Sequence, residues 1–208
     1  KPEVWRLHEG PDPLRVLQIT DTHLYAEPQM RLLGVNTLDS FHDIIDQIRA
    51  VDWQADIVLC TGDLVHDASP RGYRKLAEML DAFDLPVFCL PGNHDVSGIM
   101  REHLRSANVS TPQVVDRKDW RLVLLDSVIP EDEGGHLADE ELETLQNALH
   151  DCDKHTLVCM HHQPVPVGSK WIDTMALDNA DDFFAIVDQA PQVRGILWGH
   201  VHQLFDQV

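Results

Sequence analysis

Short, almost wholly apolar runs alternate along the chain with longer segments whose apolar residues recur every three or four positions. Uniform runs of Val, Ile and Leu are typical of strands covered on both faces, because a half-solvated strand alternates apolar and polar residues. The runs predict strands at Arg15–Thr20, Asp56–Thr61, Pro86–Leu90, Arg121–Asp126, His155–Met160 and Val193–Trp198. The periodic segments predict helices at Thr37–Val51, Arg71–Phe83, Glu140–Leu149 and Asp181–Gln189. This alternation favours an α/β fold with helices outside buried sheets.

Length and charge restrict the classes of protein further. The chain has 208 residues, of which 43% are hydrophobic, so we expect one globular domain over residues 1–208 with a substantial core. No stretch is long and apolar enough to cross a membrane. The formal net charge of −19 disfavours a nucleic-acid polymer as partner, because such proteins carry Lys and Arg toward the phosphates. A small anionic substrate stays compatible with this charge if the site supplies its own positive charge.

The four cysteines indicate a reducing compartment. Three of them lie inside apolar runs, where Cys behaves as a small buried hydrophobe, and no CxxC pair occurs. The first residues, KPEVWRLHEGPDP, lack the apolar segment of a signal peptide. We therefore expect reduced thiols and a cytoplasmic protein without membrane attachment.

Five of the predicted strands run directly into Asp, Asn or His residues. The segments are DTH at 21–23, GD at 62–63, PGNHD at 91–95, HH at 161–162 and GHVH at 199–202. Ligands of α/β sheets bind beyond the carboxyl ends of strands, so these segments converge if the strands are neighbours. Side chains two residues apart in an extended segment point the same way, which places the Asp and His of DTH together. The oxygen and nitrogen donors suit Mn, Fe, Zn or Co, and their number suits two ions sharing a carboxylate.

In this order, DTH, GDLVHD, GNHD, HH and GHVH resemble the signature of the calcineurin-like metallophosphoesterases, over almost the whole chain. The strings LQITDTHL, LPGNHD and HHQPVPVGSKWID resemble the class III cyclic-nucleotide branch, the bacterial 3′,5′-cyclic AMP phosphodiesterases. The resemblance implies a layered α/β/β/α sandwich of two mixed sheets flanked by helices. Family members usually continue with further strands after the last motif, whereas this sequence stops six residues after His202, so either the C-terminal strands are lacking or the second sheet is completed otherwise.

The resemblance also implies a set of site residues. One metal ion would be held by Asp21, His23 and His202, the other by Asn93, His161 and His200, with Asp63 bridging them. The ions would be iron, manganese or both, with zinc as the alternative. We expect His94 to give a proton to the leaving oxygen and Asp95 to orient its imidazole. The expected substrate contacts are His23, Asp63, Asn93, His94 and His202.

His66 stands where the purple acid phosphatase branch has a tyrosine, and we interpret it, like His42, as a structural or surface residue. The expected reaction is hydrolysis of 3′,5′-cyclic AMP to 5′-AMP by in-line attack of a metal-bridging hydroxide. The alternatives are a nucleotide pyrophosphatase, a glycerophosphodiesterase or a phosphomonoesterase of the same family, and a non-catalytic scaffold of the same fold. The expected partner is a small cyclic nucleotide; the oligomeric state stays open.

Overall fold

The computed structural model describes residues 4–7, 13–51, 54–150 and 152–207. The strands are β1 (Val4–Arg6), β2 (Val16–Ile19), β3 (Ile57–Thr61), β4 (Val87–Leu90), β5 (Val109–Ser110), β6 (Val114–Arg117), β7 (Trp120–Leu124), β8 (His155–Cys159) and β9 (Val193–Leu197). The helices are α1 (Thr37–Ala50), α2 (Pro70–Asp81), α3 (Ser97–His103), α4 (Asp139–Leu149) and α5 (Ala180–Val187), with a 3₁₀ helix at Ile172–Met175.

The strands form two sheets. One has five strands in the order β1-β6-β7-β8-β9, and it is mixed because only β6 and β7 pair antiparallel. The other has four strands in the order β2-β3-β4-β5. All of its described pairs are parallel, so the smaller sheet differs from the expected mixed sheet in this detail. The parallel arrangement follows from the helices that return the chain between β2, β3 and β4.

The two sheets pack face to face between two layers of helices. Ile57, Leu59 and Phe88 of the parallel sheet meet Leu122 and Leu124 of the mixed sheet in a buried cluster. The opposite face of the parallel sheet packs against α1, α2 and α3, and that of the mixed sheet against α4 and α5. The α/β/β/α layering expected from the sequence is confirmed.

Local sequence explains where the first helices begin. The Asn36 side chain accepts hydrogen bonds from the backbone N–H groups of Leu38 and Asp39 at the start of α1. Ser69 does the same for Gly72 at the start of α2, where Pro70 occupies the first turn. Among the described residues, none of these helices is long and apolar enough to span a membrane.

All predicted strands and helices are present, with bounds within two residues of those predicted. The periodicity of Thr37–Val51 predicts one buried apolar stripe made of Phe41, Ile44, Ile45 and Ile48. This stripe is wrong at Ile44, whose side chain is exposed, whereas Phe41 and Ile45 are buried against the sheet. Among the described residues, five elements were not predicted: β1, β5, β6, α3 and the 3₁₀ helix.

Candidate active site

The strand ends of both sheets meet at one place. Because β2, β3 and β4 are parallel neighbours, their carboxyl ends bring Asp21, Asp63 and Asn93 to one edge of the sheet. The carboxyl ends of β8 and β9 in the other sheet bring the histidines of HH and GHVH to the same place. The backbone N–H of His200 donates to the Asp21 carboxylate at 3.1 Å and so joins the two sheets. All seven expected metal ligands therefore lie in one cluster.

The backbone turns sharply at most of these residues. Positive φ angles occur at Asp21 (54°), His23 (43°), Asp63 (54°), His200 (67°) and His202 (50°). Such angles are uncommon for residues other than Gly and cost roughly 1–3 kcal/mol each, so surrounding structure must hold them. The prediction that DTH is an extended segment, with Asp21 and His23 on the same side of it, is wrong. Both residues have a left-handed backbone conformation, and these turns direct their side chains to the site.

Asp63 lies at the centre of the cluster, between two groups of donors. Its Oδ2 is 3.6 Å from His23 Nε2, and its Oδ1 is 3.4 Å from His161 Nε2. On the first side, His202 Nε2 is 3.1 Å from Asp21 Oδ1 and 3.4 Å from His23 Nε2. The donor sets Asp21, His23, His202 and Asp21, Asp63, His161 are each compact enough to hold a metal ion.

On the second side, His161 presents one ring nitrogen to oxygen atoms. Its Nδ1 lies 2.8 Å from the carbonyl oxygen of Thr61, which can only accept, so Nδ1 carries a proton. Its Nε2 lies 3.1 Å from Asn93 Oδ1 and near Asp63. Burial lowers the pKa of His161, but the Asp63 carboxylate outweighs this and raises the pKa to about 9. Either a proton on Nε2 or a metal ion between Nε2 and these oxygens would satisfy this contact.

The pKa values of His23 and His200 are shifted in the opposite direction to that of His161. Burial lowers the pKa of each to about 4, so both imidazoles are neutral at pH 7, the form that ligates metals. Nε2 of His200 is buried and has no hydrogen-bond partner. A buried, unpaired imidazole nitrogen in a carboxylate-rich cluster fits a metal ligand, because leaving it unmet costs roughly 1–3 kcal/mol. The residues present therefore fit the ions that the sequence implies.

Two glycines let the strand-end loops approach this closely. A Cβ on Gly92 would lie 2.3 Å from Asp63 Oδ1 and 2.4 Å from the backbone nitrogen of Asp63. A Cβ on Gly62, whose φ is +93°, would lie 2.3 Å from His161 Nδ1. Both positions exclude any side chain, which explains the Gly before Asp63 and before Asn93 in the sequence.

His94 is half-buried at the edge of the cluster, as expected of a group that meets substrate. Its backbone N–H donates to Asp63 Oδ1 at 2.8 Å, and its ring lies edge-on to the His23 ring at a centroid distance of 5.0 Å. Asp95 does not orient it, and this expectation is corrected. The buried Asp95 carboxylate accepts from the N–H groups of Leu64, Val65 and Gly92 and from the Tyr73 hydroxyl, and thus joins the two loops.

His66 and His162 also belong to this region. The resemblance takes the first histidine of HH as the ligand and predicts His162 beside it, whereas the sequence analysis interprets His66 as a structural or surface residue. The His66 ring stacks on that of His94, with centroids 4.5 Å apart and planes 29° apart. His162 is fully buried against His161 and His200, and its Nδ1 lies 2.8 Å from Ser127 Oγ. The GDLVHD string places His66 three residues after Asp63, and this spacing was the available signal.

Comparisons with known proteins agree with this geometry. A family model described as calcineurin-like phosphoesterase matches residues 14–204. The 3′,5′-cyclic adenosine monophosphate phosphodiesterase CpdA of Vibrio vulnificus is 40% identical over 192 residues, which are 91% of this chain and 70% of that protein. CpdA of Escherichia coli K12 is 38% identical over 199 residues, 95% of this chain and 72% of that protein.

A solved structure shares the fold at low sequence identity. Purple acid phosphatase PPD1 from yellow lupin superposes with a TM-score of 0.59 at 16% identity, over 94% of this chain and 39% of that one. The family match, the relatives and the clustered strand-end ligands lead to one conclusion. This chain belongs to the calcineurin-like phosphoesterase family.

Proposed function

We propose that this chain hydrolyses 3′,5′-cyclic AMP to 5′-AMP at a pair of metal ions. The observation that carries the proposal is the position of Asp63, whose two carboxylate oxygens face His23 Nε2 at 3.6 Å and His161 Nε2 at 3.4 Å. A carboxylate between two donor groups suits two ions that share it. The choice of cyclic AMP is supported by relatives named as cyclic AMP phosphodiesterases, which are 40% and 38% identical to this chain.

In this proposal each ion has its own ligands. Asp21, His23 and His202 hold one ion, Asn93, His161 and His200 hold the other, and Asp63 is shared. Oxygen and imidazole donors without thiolate favour iron or manganese, with zinc as the alternative. When bound, such ions acidify water and offset the charge that develops on phosphorus.

The chain's own residues would place the proton and the substrate. In the reaction a water oxygen bonds to phosphorus, the bond from phosphorus to O3′ breaks, and O3′ takes up a proton. His94 is the proposed proton donor, because its ring borders the cluster beside His23 and its backbone is fixed by the bond to Asp63. The substrate would also contact His23, Asp63, Asn93 and His202. Of these, the His202 side chain is 56% exposed and so marks the open side of the cluster.

Charge restricts the substrate to a small one. The chain carries a formal net charge of −19, so an anionic polymer is repelled over most of the surface. A single cyclic nucleotide meets the ions directly and avoids most of this repulsion. Cys60, Cys89 and Cys159 are buried and form no disulfide, which fits a reducing compartment, and a cytoplasmic location stays a prediction.

The test is a turnover panel on manganese-loaded protein. We expect 3′,5′-cyclic AMP to be converted to 5′-AMP faster than 2′,3′-cyclic AMP, a nucleotide pyrophosphate, a glycerophosphodiester and a phosphomonoester are hydrolysed. Replacing His94 by Ala should lower kcat about 10²- to 10⁴-fold, the usual contribution of a general acid. His42→Ala, an exposed position on α1, is the matched control and should leave kcat unchanged. Negligible cyclic AMP turnover beside faster turnover of another ester would overturn the substrate. No bound metal and no activity on any ester would favour the scaffold.

A further inference from the structure

His66 contacts both the proposed proton donor and a proposed metal ligand. Its ring stacks on His94 with centroids 4.5 Å apart, and its Nδ1 lies 3.2 Å from Nδ1 of His23. The Tyr25 ring lies against it at a centroid distance of 5.1 Å. The imidazole of His66 thus contacts Tyr25 as well as two members of the site.

The contact with His23 has only one consistent proton arrangement if His23 is a ligand. Nε2 of His23 faces Asp63 and His202, so it must be free of a proton to bind a metal ion. The proton of the neutral His23 ring is then on Nδ1, which donates to His66 Nδ1. His66 thereby plays the part that the Thr61 carbonyl plays for His161. A hydrogen bond of this kind fixes the tautomer and the orientation of a metal-bound histidine.

The contact with His94 sets the plane of a ring. The two imidazoles are only 29° from parallel, whereas His23 meets the same His94 ring at 74°. With one neighbour stacked and the other edge-on, rotation of the His94 ring is restricted on two sides. A proton donor held in one plane loses less entropy when it meets the leaving oxygen.

We infer that His66 is a positioning residue that stacks on His94 and selects the metal-binding tautomer of His23. The inference rests on the proposed function, because it takes His94 as the proton donor and His23 as a ligand. One side chain, His66, then links metal binding at His23 to proton delivery by His94.

Two substitutions separate the two contacts. His66→Phe keeps a ring to stack on His94 but has no nitrogen to accept from His23. His66→Asn keeps an acceptor near the position of Nδ1 but has no ring. For the Phe variant we expect affinity for Mn²⁺ to fall about 10- to 100-fold, the usual effect of losing such a partner. At saturating Mn²⁺ its kcat should stay close to that of the wild type.

For the Asn variant we expect the opposite result, with Mn²⁺ affinity kept and kcat lowered. Its Mn²⁺ affinity should stay within about threefold of the wild type, since the acceptor is kept. Its kcat should fall about 2- to 10-fold with KM unchanged, in line with the strength of a ring pair. His42→Phe and His42→Asn on α1 are the matched controls and should change neither quantity.

The measurements are calorimetric titration of metal-depleted protein with Mn²⁺ alone, cyclic AMP kinetics at saturating Mn²⁺, and the thermal midpoint of each variant. The inference is supported if the Phe variant loses only Mn²⁺ affinity and the Asn variant loses only kcat, at similar thermal midpoints. Equal losses in both variants together with a lowered midpoint would indicate a merely structural role and overturn it, as would wild-type values in both. If the wild type fails to hydrolyse cyclic AMP, the proposed function fails, while the difference in Mn²⁺ affinity between the variants still decides whether His66 selects the metal-binding tautomer of His23.

Discussion

Replacing Asp95 by Asn should destabilise the fold rather than act on His94. The Asp95 side chain is buried, with 3% of the residue exposed. Its Oδ1 accepts from Val65 N–H at 3.1 Å and from the Tyr73 hydroxyl at 2.9 Å, and its Oδ2 accepts from Leu64 N–H at 3.1 Å and Gly92 N–H at 3.0 Å. An amide has one accepting oxygen and one donating nitrogen, so it cannot serve both pairs of donors.

The cost follows from the better of the two amide orientations. With its nitrogen beside Val65 and Tyr73, the amide offers no acceptor to the backbone N–H of Val65, and the Tyr73 hydroxyl, which already accepts from Val96 N–H, loses the acceptor for its own hydrogen. At least one buried donor, the Val65 N–H, is then left unpaired, which costs about 1–3 kcal/mol. For a chain of this size 1 kcal/mol corresponds to roughly 2–4 °C, so the thermal midpoint should fall by about 2–12 °C.

The assay is thermal unfolding of the metal-depleted protein at neutral pH, followed by circular dichroism. Asp43→Asn, at an exposed position of α1, is the matched control and should shift the midpoint little. The reasoning is refuted if Asp95→Asn keeps the wild-type midpoint while it lowers kcat as much as His94→Ala. That result would make Asp95 a partner of the proton donor after all.

Three further predictions follow from other contacts. Gly92→Ala forces a Cβ to within 2.3 Å of Asp63 Oδ1, so Mn²⁺ binding and turnover should both be lost, whereas Gly98→Ala in α3, with nothing within 4 Å of the added Cβ, should leave both unchanged. Burial raises the pKa of Asp116, but its ion pair with Arg121 outweighs this and holds the pKa below 3.8. The ion pair stabilises the fold fully above the pKa that Asp116 has in the unfolded chain, and this stabilisation disappears as pH falls through the lower pKa of the folded state. The difference in free energy of unfolding between the wild type and Asp116→Asn should therefore shrink below about pH 4, as measured by unfolding curves in acid. Removing metal with a chelator should abolish turnover and leave a folded protein by circular dichroism, since the three large hydrophobic clusters contain none of the proposed ligands; an unfolded product would contradict this.

The central strands were predictable because burial on both faces removes ambiguity. Every residue of β3 and β4 is buried, and apart from Thr61 at the end of β3 both sequences are uninterrupted apolar runs. Strand β6 is equally buried but contains Asp116 and Arg117, whose charges are met by ion pairs that a local pattern does not reveal. Helix α3 has no side-chain cap and follows GNHD directly, so no start signal marked it.

The sequence could predict which residues form the site, but it could not predict the directions of their side chains. Strand ends with Asp, Asn or His converge in any parallel arrangement, so the cluster around Asp63 followed from strand order. The side-chain directions came instead from left-handed turns at residues such as Asp21 and His202, which a period-two argument does not describe. The partners of His66 and Asp95 depend on contacts across several loops, and these are set by tertiary packing alone.

The central claim is a pair of metal ions on either side of the Asp63 carboxylate. It is tested most directly by equilibrium dialysis of the metal-depleted chain against Mn²⁺, followed by metal analysis of the wild type and of Asp63→Ala. We predict two Mn²⁺ per chain for the wild type, and for Asp63→Ala a loss of the paired binding, because the shared ligand is gone. Less than one ion per wild-type chain at saturation, or two ions bound with unchanged affinity by Asp63→Ala, would contradict the account.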